Sequence, residues 1–208
     1  MLYCDQTNSA EVIVSQMGAI KAGVSIVTFD EKDDCDALDS ALSSSKARGL
    51  VISPSTEAAE GSTRLTYLQK LMPELANMRA GQELSVGRYP NLKHVVQTGH
   101  LALRGVNKYR DFTVYANPAF SSVSIPENSS DWVTHVAYKG GKEALSLTSS
   151  ELVAKSQGLW ESSLSVGGDE MTPIFMACDL ESPLGFASFL SCSSNFKKVF
   201  VPGTFNMT

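Results

Sequence analysis

Two lysines flank a pair of glycines in the sequence Lys139-Gly140-Gly141-Lys142. Backbone N–H groups at paired glycines can form a nest for a phosphate, and the lysines would supply positive charge. A solvated hairpin turn, with lysines for solubility, accounts for the same residues, and we favour it because short glycine motifs have low specificity. A Walker phosphate loop is excluded, since it would require glycine at Val136 and serine or threonine at Glu143.

The other candidates for chemistry are isolated residues or incomplete motifs. His135 could act as a general base, but no serine or aspartate is tied to it by spacing, so we interpret it as a structural histidine. The acidic run Asp30–Asp36 could bind a cation, but it lacks the glycine and the final glutamate of a calcium loop. We interpret it as a solvated segment that caps a helix, and Gly167–Glu170 as a turn.

The cysteines do not form a metal-binding pattern. No two of the four cysteines form a CxxC pair, and no histidine lies at metal-ligand spacing from them; the cysteines are Cys4, Cys35, Cys178 and Cys192. The sequence therefore predicts no metal site. Cys178 and Cys192 lie in apolar segments, as buried thiols do, and all four cysteines fit a reducing compartment.

Length and composition indicate a folded globular chain. With 208 residues and 43% hydrophobic content, we expect one domain over residues 1–208 with a sizeable core. Acidic residues outnumber basic ones 22 to 17, which argues against nucleic acid as a partner. No run reaches the about 18 apolar residues of a membrane helix. Asp5 and Glu11 interrupt the apolar core that a secretory signal needs. The first arginine is Arg48, so we predict no intact organelle presequence in this sequence, and the earlier removal of such a presequence is left open.

The first half of the chain alternates helical and strand patterns. Ser9 is a candidate N-cap for a helix whose buried stripe would be Ile13, Met17 and Ile20, and Gly23 would end it. A strand over 24–29, a helix stopped by Gly49 and a strand over 50–53 follow. This order predicts an α/β fold with a mixed, mostly parallel sheet flanked by helices.

The second half continues the same kind of pattern. The alternation of 132–148 around Gly140 and Gly141 predicts a β-hairpin, because paired glycines tolerate the positive φ of a tight turn. Before the hairpin, we predict a helical stretch over 65–78 broken at Pro73 and a strand over 93–98. An irregular segment over 99–130 follows, with the aromatic anchors Tyr109, Phe112, Tyr115 and Phe120. After the hairpin, we predict a helix capped by Ser149 or Ser150, a strand over 173–177, a helix over 184–190 and a strand over 199–201.

Five segments occur in an order that resembles a known family. They are Thr7–Gly23, containing QMGAIKAG; Ala37–Pro54; Tyr89–Val95, reading YPNLKHV; Gly99–Phe112; and Pro173–Phe205, ending VFVPGTF. Together they resemble the N-terminal part of the adenylate-forming family, specifically the acyl-CoA synthetases or fatty-acid–CoA ligases. The resemblance implies a partial N-terminal domain of the acyl-CoA synthetase fold.

The resemblance places the family's phosphate loop at residues 136–144. That loop reads Ser/Thr-Gly-Thr-Thr-Gly-x-Pro-Lys-Gly in the family, whereas Tyr138, Lys139, Gly140, Gly141 and Lys142 occupy the position here. The hydroxyl-rich half is gone, and Glu143 would repel a triphosphate. The family's adenine-binding segment, ribose-binding aspartate and catalytic lysine come later in its longer chain. The resemblance therefore implies no catalytic residue and no cofactor.

We expect a non-catalytic protein that serves as a structural or accessory subunit of a larger assembly. The reason is exposure, because a partial sheet leaves unpaired edges and apolar surface that other protein subunits would cover. Residues 99–130 and the end after Phe205 are the expected contacts. We expect the protein to be located in mitochondria, in the matrix or on the matrix side of the inner membrane, because enzymes that activate fatty acids often work there. The assembly would then be a respiratory-chain complex. A cytoplasmic location is the alternative. The alternatives in function are weak binding of acyl-CoA or nucleotide, and one half of a split ligase.

Overall fold

A seven-stranded sheet organises the computed structural model, which describes residues 2–4, 9–29, 34–54, 63–79, 81–99, 103–114, 133–164, 173–176, 178–180, 182–195 and 197–200. The strands lie in the order β5-β4-β3-β1-β2-β6-β7, and every neighbouring pair is parallel except β6 and β7. A second, two-stranded parallel sheet joins β8 and β9. The predicted α/β class, with a mixed and mostly parallel sheet, is confirmed.

Most helices and strands follow one another along the chain as the alternating pattern predicts, but the strand at Leu2–Cys4, the strand at Asn107–Lys108 and the helix at Tyr109–Val114 were not predicted. The strands are β1 Leu2–Cys4, β2 Ile26–Phe29, β3 Gly49–Ile52, β4 His94–Gln97, β5 Asn107–Lys108, β6 Val133–Lys139, β7 Lys142–Thr148, β8 Ile174–Phe175 and β9 Val199–Phe200. The helices are α1 Ala10–Lys21, α2 Cys35–Ser45, α3 Arg64–Leu71, α4 Tyr109–Val114, α5 Ser149–Leu159 and α6 Pro183–Ser194, with a 3-10 helix at Pro73–Asn77 and a π-helical turn at Trp160–Leu164. No helix in these ranges is long and apolar enough to cross a bilayer.

Strands β2 and β3 lie on opposite sides of β1 in the sheet. The chain passes from β1 to β2 on one side and then returns across β1 to β3 on the other. A right-handed crossover in each direction places the two connecting helices on opposite faces of the sheet. Consistent with this, α2 contributes Leu38 and Leu42 to one core cluster and α1 contributes Val12 to another.

Strand β3 shows how the two clusters are separated. Leu50 and Ile52 lie in the cluster with α2, whereas Val51, between them, lies in the cluster with α1. Side chains alternate between the faces of a strand, so a continuous apolar run is needed when both faces are buried. The LVI run in β3 is therefore the signature of a central strand.

Helix α1 buries a different stripe from the one predicted. Its buried residues are Val12, Gln16 and Ala19, one position before the predicted Ile13, Met17 and Ile20, and Met17 is 42% exposed. The predicted stripe contained only apolar residues, and the polar Gln16 was not part of it. The Gln16 amide nitrogen donates a hydrogen bond to the backbone oxygen of Leu180 (3.2 Å), which offsets part of the cost of burying the amide.

Two helix boundaries also differ from the predictions. Helix α2 ends at Ser45, its C-cap Lys46 takes a left-handed conformation (φ 52°), and Gly49 is the first residue of β3. Helix α5 is capped by Thr148, whose hydroxyl accepts from the Glu151 N–H, and not by Ser149 or Ser150. The Glu151 carboxylate in turn accepts a hydrogen bond from the Thr148 N–H, which completes a capping box.

Part of the segment predicted to be irregular is ordered. β5 adds to the sheet edge and α4 follows it immediately, over residues 107–114. Tyr109 packs against a core cluster as predicted, whereas Phe112 is 55% exposed. Tyr115, Phe120 and Gly167–Glu170 lie outside the described residues.

The break at Pro73 is confirmed. Helix α3 ends at Leu71, and Pro73 begins the 3-10 helix, where its missing N–H and fixed φ are tolerated.

Candidate functional site

The predicted hairpin exists and turns through its two glycines. β6 and β7 pair antiparallel, with Lys139 opposite Lys142. Gly140 and Gly141 both have positive φ, 56° and 72°. Positive φ at both central residues is the geometry of the tight turn whose twist matches that of the flanking strands, and glycine adopts it without a steric cost.

One side of this turn rests on helix α2. Gly141 is buried, and a Cβ placed on it would lie 2.7 Å from the Cβ of Ser40 and 3.2 Å from the Cα of Ala37. Nothing lies within 4 Å of the same position on Gly140. The turn therefore has one glycine against the protein and one toward solvent, and only Gly141 is required by packing.

Tyr138 strengthens the contact between the turn and α2. Its side chain is only 7% exposed and belongs to the core cluster on the α2 face of the sheet. The Ser44 hydroxyl lies 3.3 Å from the Tyr138 hydroxyl and 2.7 Å from the backbone oxygen of Ser40. Tyr138, which the resemblance places at the phosphate-loop position, is therefore a core residue.

The charged residues of the turn all face outward. Lys139, Lys142 and Glu143 are exposed. Glu143 pairs with Tyr138 across the hairpin, directly beside the pair of lysines. Like charges opposite one another on neighbouring strands are unfavourable, so an anion close to the two lysines would relieve their repulsion. The exposed side of the turn could attract a single anion but does not enclose one.

His135 is a residue of β6. Its side chain is fully buried on β6, and its ring lies 6.1 Å from the ring of Phe186 at an interplanar angle of 24°. It pairs with Ile26 on one side and Leu147 on the other. These apolar neighbours fit a packing role better than an exchange of protons with a substrate.

The described part of the acidic run caps and tethers α2. The Asp34 carboxylate accepts from the Ala37 N–H at 2.9 Å, which is the predicted helix cap. Asp36 is exposed and lies 3.7 Å from the Lys70 ammonium. No group of three His, Cys, Asp or Glu side chains among the described residues could hold a metal ion. Residues 30–33 of the run lie outside those residues.

A charged cluster that the sequence did not indicate also contacts α2. Arg88 donates two hydrogen bonds to the Asp39 carboxylate, one of them at 2.9 Å, and the Tyr89 hydroxyl donates a third at 2.6 Å. Burial alone would raise the pKa of Asp39, but hydrogen bonds from Arg88 and Tyr89 together outweigh it and hold the pKa below its ordinary value of 3.8. Burial, followed by the bond to Asp39, raises the pKa of Tyr89.

A buried arginine also escaped prediction. Arg64, the first residue of α3, is fully buried, and its guanidinium carbon lies 4.8 Å from the centre of the Phe29 ring and 5.5 Å from that of Tyr67. A planar guanidinium can stack on aromatic faces, which makes arginine the cation best suited to such a position. No motif marks Arg64, because Phe29 is 35 positions away in the sequence.

The three thiols in the described part of the chain, those of Cys35, Cys178 and Cys192, are not activated. Burial raises the pKa of Cys35 and Cys178, and also of Cys192, above the ordinary value. A raised pKa lowers the fraction of reactive thiolate at neutral pH. Cys192 is buried as predicted, and Cys35 is buried as well. Cys178, which the sequence also predicts to be a buried thiol, is only half-buried.

Comparisons with known proteins agree on the fold. No protein-family model and no curated protein matches the sequence. Among solved structures, a red-emitting luciferase from Phrixothrix hirtus matches 100% of this chain with a TM-score of 0.70 at 12% identity. A putative long-chain-fatty-acid CoA ligase from Rhodopseudomonas palustris matches 99% with a TM-score of 0.72 at 11% identity. A long-chain-fatty-acid-CoA ligase from Archaeoglobus fulgidus matches 99% with a TM-score of 0.66 at 15% identity.

The matches cover this chain almost entirely but only part of the other proteins. The chain spans 47%, 45% and 35% of those three structures, respectively. Similar structures include an N-terminal domain solved on its own, from Mycobacterium tuberculosis, of which the chain spans 44%. The chain therefore has the fold of part of the N-terminal domain of acyl-CoA synthetase-like proteins.

Proposed function

We propose that this chain is a non-catalytic protein with an acyl-CoA synthetase-like fold that serves as an accessory subunit of a larger protein assembly. The observation that carries the proposal is the position of the Lys139–Lys142 turn. The turn lies against α2 through Gly141, and the buried ring of Tyr138 fills the space behind it. A loop that binds a triphosphate needs free space around its backbone N–H groups.

The chemistry of the turn supports the same proposal. The ligase loop that the sequence resembles holds phosphates with serine and threonine hydroxyls, whereas this turn offers two exposed lysines and an adjacent Glu143. A carboxylate next to the phosphates would oppose binding of a highly charged nucleotide. With its glycine packed on α2, the turn would serve to stabilise the edge of the sheet.

An exposed aromatic pair supports a protein partner. On the small sheet, Ile174 and Val199 pack toward the core, whereas Phe175 and Phe200 are 55% and 61% exposed and stack with ring centres 5.7 Å apart. Parallel strands that are apolar on both faces are typical of strands covered on both sides. We propose that a partner subunit covers the Phe175–Phe200 pair.

Co-migration in a native gel would test the partner. The double variant Phe175→Ser/Phe200→Ser should lose the higher-mass species that the natural chain forms in its own cells. Phe112→Ser is the matched control, since Phe112 is also 55% exposed but lies on α4, and it should leave that species unchanged. A natural chain that migrates as a monomer in fresh cell extract would contradict the proposal.

The host assembly that we propose is mitochondrial, located in the matrix or on the matrix side of the inner membrane. Enzymes that activate fatty acids work there, and a respiratory-chain complex is the host we would examine first. Cell fractionation followed by mass spectrometry of the native-gel band would identify the host. Recovery of the chain in the cytosolic fraction alone would refute this part of the proposal without affecting the accessory role.

A second function, weak binding of nucleotide or acyl-CoA without turnover, is favoured by one observation. Lys139 and Lys142 lie opposite each other and are exposed, so a bound phosphate would relieve their repulsion. Thermal unfolding should then shift upward with millimolar ATP or acyl-CoA, and Lys142→Ala should reduce the shift. The accessory role predicts no shift.

The third possibility, half of a split ligase, requires a second polypeptide that supplies the catalytic lysine. The natural complex would then exchange pyrophosphate into ATP in the presence of a fatty acid. We expect no exchange, because the turn lacks the hydroxyls of the ligase loop.

A further inference from the structure

Strand β7 forms an open edge of the main sheet. It pairs with β6 on one side and comes last in the order of strands, so no described strand pairs with its other side. No backbone hydrogen bond joins residues 143–147 to any described residue outside β6. Part of the backbone N–H and C=O groups of an edge strand point away from its neighbour, so β7 presents unpaired donors and acceptors.

This edge is long and uncharged over most of its length. β7 has seven residues, whereas strands average about five or six. Residues 142–146 are exposed, Leu145 at 42%, and residues 144–148 carry no charge. Natural edge strands are usually short, charged or covered, because an exposed apolar edge pairs with another chain. We therefore expect a strand of another molecule along β7.

Opposite charges lie at the two ends of β7. Lys142 begins the strand, is exposed and forms no ion pair with any described residue. Beyond the other end, the capping box of α5 holds the Glu151 carboxylate 2.9 Å from the Thr148 backbone nitrogen and 3.0 Å from its hydroxyl oxygen. When two copies of this strand run antiparallel, the cation of each meets the anion of the other.

The two charges also share one face of the sheet. Glu143 pairs with Tyr138, whose ring packs on the α2 face, so the preceding residue, Lys142, points to the opposite face. Helix α5 covers that opposite face, because its core cluster is separate from the one on the α2 face. A two-fold axis perpendicular to the sheet keeps like faces together, so Lys142 and Glu151 of the two copies meet on one side.

We propose that β7 pairs antiparallel with β7 of a second copy of this chain, so that the two sheets become continuous in a symmetric dimer. The β6–β7 ladder skips Ala144, and a two-fold axis at Ser146 would centre the pairing on the regular part of the strand. Two identical strands paired in this way close the assembly, because neither copy keeps an open β7 edge. The proposal does not depend on the accessory role or on the Phe175–Phe200 pair.

The same axis joins the opposite charges. It places Lys142 of each copy at the start of α5 of the other, where the Glu151 carboxylate lies. Two equivalent ion pairs result, and each also relieves the repulsion between Lys142 and Lys139 across the hairpin. A short ladder with two exposed ion pairs is a small interface, so the dimer is weak, with a Kd on the order of 10 µM.

Sedimentation of the purified full chain tests the dimer. The natural chain should pass from monomer to dimer over concentrations that extend about tenfold to either side of the expected Kd. Lys142→Glu and Glu151→Lys should each weaken the dimer about tenfold, because each places like charges at both ends. Arg48→Glu makes the same change of charge at an exposed residue before β3 and should leave the Kd unchanged. A chain that stays monomeric throughout this range would refute the proposal and leave the edge to a strand of a different protein.

A mixture of the two charge variants tests the symmetry of the contact. In a mixed dimer, the carboxylate introduced at position 142 faces the ammonium introduced at position 151, and a natural Lys142–Glu151 pair remains at the other end. The mixture should therefore dimerise with about the natural Kd, although neither variant does so alone. A mixture as weak as its components would overturn the assignment of Lys142 and Glu151.

A cysteine at the axis tests the pairing even if Glu151→Lys, which breaks the capping box, does not fold. Ser146→Cys should form a disulfide-linked dimer on mild oxidation with diamide, because opposite residues of an antiparallel pair have Cβ atoms about 4.5–5.5 Å apart, close to the separation in a disulfide. Ser193→Cys, at an exposed serine of α6, is the control and should remain monomeric. A Ser146→Cys chain that dimerises with the natural Kd but forms no disulfide would place the contact elsewhere and refute pairing through β7.

Discussion

Replacing Gly141 with alanine would measure how firmly the hairpin turn is held against α2. A residue with a Cβ in a left-handed conformation costs about 1–2 kcal/mol, and Gly141 has φ 72°. The added methyl would also lie 2.7 Å from the Ser40 Cβ, and such overpacking costs about 1–3 kcal/mol. We therefore expect Gly141→Ala to lower the unfolding free energy by about 3 kcal/mol.

Gly140→Ala is the matched control in the same turn. Its φ is also positive, 56°, but nothing lies within 4 Å of the added methyl. It should cost only the conformational part, about 1–2 kcal/mol. Urea unfolding of both variants, with the slope of free energy against denaturant unchanged, gives the two values. The difference between them isolates the contact between turn and helix.

A double variant tests whether Ser40 is the source of that difference. Ser40→Gly removes the Cβ that collides with the new methyl, so Gly141→Ala should cost less in the Ser40→Gly background than in the natural chain, although the glycine itself weakens α2. Equal costs for Gly141→Ala and Gly140→Ala would refute the docked turn. That result would also remove the main support for the proposal that the turn cannot enclose a nucleotide.

Three further predictions concern contacts away from the turn. The folded-state pKa of Asp39 is lowered, so its carboxylate stabilises the fold above its unfolded pKa and loses this contribution as pH falls through the folded value. The unfolding free energy should therefore decrease below about pH 4. Asp39→Asn should make that decrease smaller when urea unfolding is measured as a function of pH. Thr148→Ala should cost about 1 kcal/mol of unfolding free energy by removing the cap of α5, whereas Ser150→Ala should cost less than about 0.5 kcal/mol. Arg64→Lys should cost about 1–2 kcal/mol in the same assay, because an ammonium cannot lie flat against the two rings.

Each of these predictions has a contrary outcome. If the unfolding free energy of the Asp39→Asn protein decreases as steeply at low pH as that of the natural chain, other carboxyls dominate acid unfolding. A larger effect of Ser150→Ala than of Thr148→Ala would restore the cap predicted from the sequence. An Arg64→Lys protein of natural stability would show that the aromatic contacts of the guanidinium contribute little.

Local signals in the sequence were sufficient for the turn and for most of the order of elements, although they did not indicate β1, the central strand of the main sheet. Paired glycines between two alternating stretches specify a tight hairpin turn, and Pro73 ends α3 because it cannot continue a helix. The alternation of strands and helices led to a parallel α/β sheet, since parallel strands need a crossover connection. Each of these inferences depends on residues that are close together in the chain.

The resemblance located the candidate site but could not describe its environment. It assigned Tyr138 to the phosphate-loop position as a residue of the wrong kind, and the structure gives that residue a place in the core. The helix that receives it lies about 95 positions earlier, at Ser44. Sequence periodicity carries no information about which distant helix a turn will touch.

Only the tertiary structure decided which faces are buried and which charges meet. Gln16 is buried because the Leu180 backbone oxygen is within reach of its amide, and Asp39 is ionised at lower pH because Arg88 lies beside it. The sequence by itself determined the hairpin, the α/β class and most of the helices and strands, since these follow from conformational preferences and short-range periodicity. The faces and pairs follow from contacts between distant residues, and those exist only once the chain has folded.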